Sequence, residues 1–238
     1  MTSEFTPHFA PVIVLLFLGT ILLAAVCLIT FLYGAIRKSQ HTATTGKISL
    51  SVILAGYALL LLGFSLLSHE MVLPVGSWKY FCEIDCHIAN SIAGVHTAED
   101  ALAKPAAPDK KFVVVEVKTW FDPATISAHR GNSPLTPNPR RVLLLDQEGH
   151  FYSPLRAESA SAALSQPLQP GDSYISDFTF EVPTKTTATR LLIAEDAPET
   201  HLLIGHENSP LHKKIYLALE PAAQALAPEK LNEDRRSD

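Results

Sequence analysis

Two long stretches without a charged side chain dominate the first 68 residues of the chain. Residues 5–36 and 48–68 contain no Asp, Glu, Lys or Arg and are rich in Leu, Ile, Val and Ala. A helix needs about 20 apolar residues to cross the roughly 30 Å hydrocarbon core of a bilayer. Both stretches reach that length, so the sequence predicts two transmembrane helices, at about residues 9–36 and 48–68.

The charges that flank the two stretches predict their orientation. Arg37, Lys38 and Lys47 lie between them, whereas Glu4 and Glu70 lie at the opposite ends. Because basic residues concentrate on the cytoplasmic side, we expect the connector inside and both the N-terminus and the C-terminal domain outside. A cleaved signal peptide is disfavoured, because it has a basic start and a shorter apolar run. The expected location is a bacterial cytoplasmic membrane, crossed twice.

The rest of the chain is ordinarily polar and acidic. Only 18% of all residues are charged, but residues 69–238 carry 16 basic and 23 acidic side chains, a formal charge of −7. An acidic domain disfavours nucleic acid, which attracts clustered basic surface. It also disfavours docking on anionic lipid headgroups.

Alternating apolar residues after position 110 predict strands with one buried face. Three segments show the pattern clearly: 112–118, 177–183 and 214–220. Residues 141–145 and 150–152, joined by Asp146-Gln-Glu-Gly149, are typical of a hairpin. Residues 190–194 and 201–204 are predicted as further short strands. Six or seven short strands favour an all-β sandwich or barrel.

Four regions follow from these patterns. Residues 1–68 are the N-terminal tail and membrane helices, and 69–109 a juxtamembrane Cys/His segment ending in an Ala- and Pro-rich linker. Residues 110–220 form the predicted sandwich, with a helical turn or loop at 157–164. Residues 221–238 are a charged tail that we expect to be disordered.

The strand and turn pattern of 110–220 resembles a bacterial immunoglobulin-like family of surface lipoproteins and membrane-anchored proteins. The resemblance rests on the segments at 112–117, 144–152, 167–173, 178–183 and 203–206. It implies a two-helix transmembrane hairpin followed by an immunoglobulin-like β-sandwich. It supplies no catalytic residues, because these motifs are turns and strands.

The chemically most suggestive segment runs from Trp78 to His87, just past the second apolar stretch. Cys82 and Cys86 lie there with the spacing C-x3-C-H, while Cys27 lies in the first helix as a small apolar residue. Outside the cytoplasm a disulfide is the simplest use of such a pair. A bridge requires a turn or helical geometry, since an extended strand would hold the two residues about 13 Å apart.

Covalent haem c is one alternative use of the segment. The usual attachment signature is C-x-x-C-H, one residue shorter than here, with the His as axial ligand. His87 would serve that role, and candidates for the second axial ligand are His69, Met71 and His96.

Copper and zinc are further alternatives. Two helices followed by a β-barrel resemble the layout of subunit II of haem-copper oxidases, which implies a copper site at Cys82 and Cys86. The positions of that family's second histidine and methionine hold Asn90 and Ala93 here. A zinc site would draw on the same two cysteines with His87 and His96, because thiolates and imidazoles suit zinc.

The aromatic residues Trp78, Tyr80 and Phe81 follow the second helix closely. Aromatic side chains concentrate at membrane–water interfaces, so we expect them at the interface or in packing roles. No nucleophile elbow, H-E-x-x-H motif or phosphate-binding glycine loop occurs in the sequence.

The sequence therefore predicts a membrane-anchored, non-enzymatic protein without a resident cofactor. It would act by binding a protein partner or as an accessory component of a cell-envelope complex. The rival hypothesis is a redox or metal-handling protein, with haem c or copper, centred on the C-x3-C-H segment.

Overall fold

The computed structural model describes residues 2–3, 10–82, 86–98, 100–101, 104–126 and 130–219. The predicted charged tail at 221–238 lies outside these residues. Two long apolar helices precede a domain built from two five-stranded β-sheets.

Helices α1 (Ala10–Ile36) and α2 (Gln40–Leu66) are antiparallel and joined by three residues. Both are long and apolar enough to cross a membrane. Helix α2 begins eight residues earlier than residue 48, so Lys47 lies on the helix and not in the connector. The absence of charge marks the apolar part of a helix and not its end. Lys38, with φ of 55°, reverses the chain, and Ser39 is the extended N-cap of α2.

Glycines bring the two helices into close contact near the connector. A Cβ atom on Gly46 would lie 2.8 Å from the Phe31 Cα atom, and one on Gly34 would collide with the Ala43 backbone. Small residues allow the backbones of two helices to approach in this way. Only glycine fits at these two positions without moving the helices apart.

Twelve strands and one further short helix follow from the chain in order. They are β1 (Thr2–Ser3), β2 (Met71–Leu73), β3 (Lys79–Phe81), β4 (Ile88–Ala98), β5 (Asp100–Ala101), β6 (Lys104–Pro105), β7 (Lys110–Phe121), β8 (Arg140–Asp146), β9 (Phe151–Tyr152), α3 (Ala157–Ala163), β10 (Ser173–Pro183), β11 (Ala188–Glu195) and β12 (Ile215–Ala218).

The larger strands form a sandwich of two sheets. The first sheet has the order β1-β3-β4-β7-β10 and the second β2-β12-β11-β8-β9. The alternating residues predicted to face inward do so, because they form one core between the sheets. That core includes Val113, Val115 and Val117 from β7, Phe178, Phe180 and Val182 from β10, and Ile215, Leu217 and Leu219 around β12. The β-sandwich prediction is confirmed, as is the hairpin of β8 and β9.

The sandwich begins at Met71 and not at residue 110. Strands β3 and β4 pair with each other, and β4 pairs along its length with β7 in the middle of the first sheet. Polar residues hid them from the hydrophobic pattern, because Lys79, Asn90 and Ser91 are buried in these strands. The predicted juxtamembrane segment is thus an integral part of the domain.

Two local predictions are corrected or refined. Residues 201–204 are not a strand: a 3-10 helix spans Pro198–Leu202 and a turn follows it. Four apolar residues are too short a run to distinguish a strand from a buried turn. The segment at 157–164 is helical, as α3, and the predicted linker holds the short pair β5 and β6.

Candidate functional site

The Trp78–His87 segment and the loop at 203–214 meet at the end of the sandwich nearest the helices. Lys79 on β3 is fully buried, and its ammonium group donates three hydrogen bonds. The acceptors are Glu207 Oε1 at 2.7 Å, the Ile193 carbonyl at 2.6 Å and the Ile215 carbonyl at 3.0 Å. All three N–H groups of the ammonium are therefore used.

Glu207 is held from a second side by the strand that follows its loop. The Ile215 amide donates to Glu207 Oε2 at 3.2 Å, and Lys214 Nζ donates to the Glu207 carbonyl at 2.6 Å. Burial lowers the pKa of Lys214; Glu207 opposes this shift, whereas Arg141 and Lys79 reinforce it. The carboxylate thus joins two lysines across the two sheets.

A second group of buried polar side chains continues from this pair. Arg140 is fully buried, with its guanidinium carbon 4.1 Å from the centre of the Phe81 ring. His206 Nε2 lies 3.8 Å from Glu195 Oε2, and Asn208 Nδ2 donates to the Glu195 carbonyl at 2.8 Å. We call Lys79, Arg140, Glu195, His206, Glu207 and Asn208 the buried polar cluster.

The buried polar cluster fixes the 203–214 loop to the sandwich. Buried charges are costly unless they are paired and hydrogen-bonded, and here Lys79 and Glu207 are both. Since the exposed fraction of each of the six side chains is 5% or less, none offers an open face to a ligand in this conformation. Their chemistry is that of a structural lock between β3 and the loop.

Sequence reasoning missed this cluster. The signals were Lys79 inside an otherwise aromatic run and the polar triplet His206-Glu207-Asn208 directly after an apolar one. Each looks like an ordinary surface residue alone. Only their pairing, across 128 positions of sequence, gives them a role.

Cys82 and Cys86 form a disulfide, with 4.0 Å between their Cα atoms. The predicted bridge is confirmed, and it leaves Cys27 as the free cysteine. Haem c attachment, a copper site and a zinc site all need the two sulfurs for other bonds. The bridge occupies both sulfurs, so these alternatives lose their central ligands in this state.

The other candidate ligands are dispersed. His87 is buried, stacks on Phe121 and shares a hydrogen bond of 2.6 Å between its Nδ1 and Thr125 Oγ1. His96 lies nine residues further along the chain on β4, about 30 Å away at roughly 3.3 Å per residue. His69 and Met71 are exposed beside the other sheet. No metal or haem site is assembled from these residues.

The aromatic trio belongs to the domain interior and not to a membrane interface. Phe81 and Tyr80 are buried on β3, and Trp78 packs on Trp120 with 5.1 Å between ring centres. Tyr80 donates a hydrogen bond to Asp122 Oδ2 at 2.8 Å. Burial, assisted by that hydrogen bond and by the negative charge of Asp122, raises the pKa of Tyr80 to about 12. Alternation within three residues, not proximity to the helix, determined their placement.

The domain is seated directly on the helix pair. Tyr57 on α2 donates a hydrogen bond to the Leu202 carbonyl at 2.6 Å, and the Lys213 amide donates to Ser68 Oγ at 2.8 Å. A small apolar cluster fills the junction: Ala10, Ile13, Phe17, Tyr57, Leu61, Cys82, Cys86, Leu203 and Ile204. Strand β2 follows α2 after a short link and pairs in parallel with β12. The disulfide therefore lies at the contact between anchor and domain.

An acidic pair with a histidine occurs at the opposite hairpin. Ligand atoms of Asp146, Glu148 and His150 lie within 4.8 Å of one another. Asp146 accepts hydrogen bonds from the His150 amide at 2.8 Å and from Tyr152 at 2.9 Å. Burial raises the pKa of Asp146, but these bonds and the His150 ring outweigh it and lower the pKa overall. The group stabilises the β8–β9 turn.

Comparisons with known proteins return only remote likenesses. No protein-family model and no curated protein matches the chain. An uncharacterized β-sandwich protein from Clostridium difficile matches with a TM-score of 0.36 and 10% identity, over 64% of this chain and 96% of that chain. A conserved hypothetical protein from Bacillus anthracis gives 0.34 and 11%, over 51% and 87%.

A predicted lipoprotein from Bacillus subtilis is similar at the same level. Its TM-score is 0.34 and its identity 14%, over 51% of this chain and 34% of that chain. All three likenesses are too weak to carry a functional argument, so the function must be argued from the residues described above.

Proposed function

We propose that this protein is a membrane-anchored binding or accessory component of the bacterial cell envelope. Its two-helix hairpin spans the cytoplasmic membrane and presents an immunoglobulin-like sandwich on the extracytoplasmic side. The proposal involves no catalytic step. The observation that carries it is the fixed junction between helices and domain, made by Tyr57–Leu202, Ser68–Lys213 and the β2–β12 pair.

Such a junction suits a protein that presents a surface at a set height and angle. A flexible linker would let the domain search, whereas this domain continues from α2 through a short link into β2. The charges support the orientation, because Arg37 and Lys38 lie at the connector and Glu70 follows the other end of α2.

The side of the sandwich away from the helices offers the partner surface. There β9 and β10 form the outer strands of the two sheets, opposite β1 and β2. Three large apolar side chains are exposed on these strands and the segment beside them: Phe151, Leu155 and Ile175. Apolar side chains grouped on a polar domain are typical of a protein-binding surface.

Site-specific photocross-linking in cells tests the proposal. A photoreactive amino acid at Ile175 is expected to give one discrete adduct with an envelope protein, and the same group at Glu148 none or far less. Equal, diffuse labelling from both positions, or no adduct from Ile175 and Phe151, would count against a partner on this surface.

A further inference from the structure

The depth at which the domain contacts α2 has a consequence for the membrane. The Leu202 carbonyl is bonded to Tyr57, and Tyr57 lies nine residues before the end of α2 at Leu66. At 1.5 Å per residue this contact is about 13 Å below the end of the helix. The domain thus extends down the side of the helix pair and does not merely rest on its end.

Lys47 limits how far the helix pair can move outward. It is exposed on α2, ten residues before Tyr57. If Tyr57 lay at the outer boundary of the hydrocarbon, Lys47 would lie about 15 Å deeper, at the middle of a roughly 30 Å core. A lysine at the bilayer centre costs at least about 3 kcal/mol. Lys47 therefore stays close enough to the inner boundary for its side chain to reach water.

We propose that the loop tip Leu202–Ile204 is immersed in the outer leaflet and that its contact is with lipid acyl chains. The inference depends on the proposed membrane anchor. With Lys47 near the inner boundary and its ammonium group reaching outward to water, Tyr57 and the Leu202 carbonyl lie roughly 10 Å inside the outer boundary.

The chemistry of the tip suits this position. Leu202 leaves half of its surface exposed, at 50%, on a domain that is otherwise acidic. Its carbonyl is bonded to Tyr57, and the Leu203 carbonyl accepts hydrogen bonds from Ser209 Oγ and from the His206 amide. Backbone groups within a membrane must be satisfied by the protein itself, and these are.

The surroundings of the tip set a limit to its depth. His201 and Glu199 are exposed directly before it, so they belong at the polar interface. Leu211 is 66% exposed in the left-handed region, with φ of 65°, two residues before the Lys213 amide that binds Ser68. A non-glycine residue rarely adopts this conformation. An exposed leucine beside the end of α2 is consistent with apolar surroundings there.

Fluorescence depth measurement on the full-length protein in phosphatidylcholine nanodiscs tests the inference. In a Cys27→Ser background with the disulfide intact, single cysteines replace Ala55, Leu202 or Phe151 and carry the environment-sensitive dye NBD. Ala55 is exposed on α2 close to the level of Tyr57 and serves as the matched depth standard. Phe151 lies on the far hairpin and serves as the aqueous standard.

We expect the dye at position 202 to behave like the dye at position 55. Both should show blue-shifted emission and quenching by lipids with a doxyl group on the acyl chain. The dye at position 151 should respond only to iodide. If position 55 is lipid-exposed while position 202 is quenched by iodide alone, the inference is wrong and the anchor stands. If position 55 is itself aqueous, the proposed anchor is wrong.

Discussion

The Lys79–Glu207 pair gives the sharpest quantitative prediction about the domain. Lys79→Met removes three hydrogen bonds and leaves the Glu207 carboxylate buried opposite an apolar side chain. Removing one member of a buried ion pair costs about 3–5 kcal/mol. With a urea slope of about 2 kcal/mol per molar, the unfolding midpoint should fall by roughly 2 M.

The double variant Lys79→Met/Glu207→Gln separates lost charge pairing from lost packing. Gln keeps an oxygen for the Ile215 amide but carries no charge, so the domain no longer buries a bare carboxylate. We expect it to recover at least about 2 kcal/mol of the loss, because the desolvation penalty of an ion is several kcal/mol. Urea unfolding of the full-length protein in detergent, followed by Trp78 and Trp120 fluorescence, measures both values.

Lys110→Met is the matched control. Lys110 also forms an ion pair, with Glu181 at 2.9 Å, but this pair is at the surface. Surface pairs contribute little to stability, so its midpoint should hardly change. If Lys79→Met shifts the midpoint no more than this control, or if the double variant is less stable than Lys79→Met, the buried-pair reasoning is refuted.

Three further predictions concern other parts of the molecule. Reducing the Cys82–Cys86 bridge should lower the free energy of unfolding by about 2 kcal/mol, because it closes a loop of only five residues; unfolding with and without dithiothreitol measures this, and an unchanged midpoint would contradict it. Gly46→Leu should lower the thermal midpoint of the helix pair, since its Cβ would lie 2.8 Å from the Phe31 Cα atom, whereas Gly56→Leu, with open space around it, should not; helical circular dichroism compares them, and equal midpoints would argue against the close contact. Burial lowers the pKa of His212, against the Lys213 carbonyl and Glu207, with His206 and Lys214 adding to the lowering. The unfolded chain then binds the proton first, so stability should fall as pH drops below about 6.5, the ordinary value, and level off below the folded-state pKa. His212→Gln should flatten this slope between pH 5 and 7, and an identical slope in both proteins would rule His212 out as its source.

Period-two patterns predicted the long strands because packing between two sheets demands them. Strands β7 and β10 each bury three alternating apolar residues and were predicted within a few positions. Strands β3 and β4 were missed because Lys79 and Asn90 are polar yet buried. Their partners lie far away in sequence, and local patterns carry no information about such pairs.

The two halves of the candidate site differed in the same way. Cys82 and Cys86 are four positions apart, so their bridge could be predicted from spacing and chemistry. The seating of the loop at Leu202 on Tyr57 spans 145 positions, and only the folded arrangement shows it. Tertiary context likewise moved Trp78, Tyr80 and Phe81 from an expected interface to the domain interior.

The orientation of the chain in the membrane is the central claim, and cysteine accessibility in intact cells tests it most directly. In the Cys27→Ser background, a membrane-impermeant maleimide is applied to cells that carry Ser39→Cys in the connector or Phe151→Cys in the domain. The account predicts labelling at position 151 in intact cells, and labelling at position 39 only after the membrane is opened. Labelling at position 39 in intact cells, with position 151 protected, would contradict it.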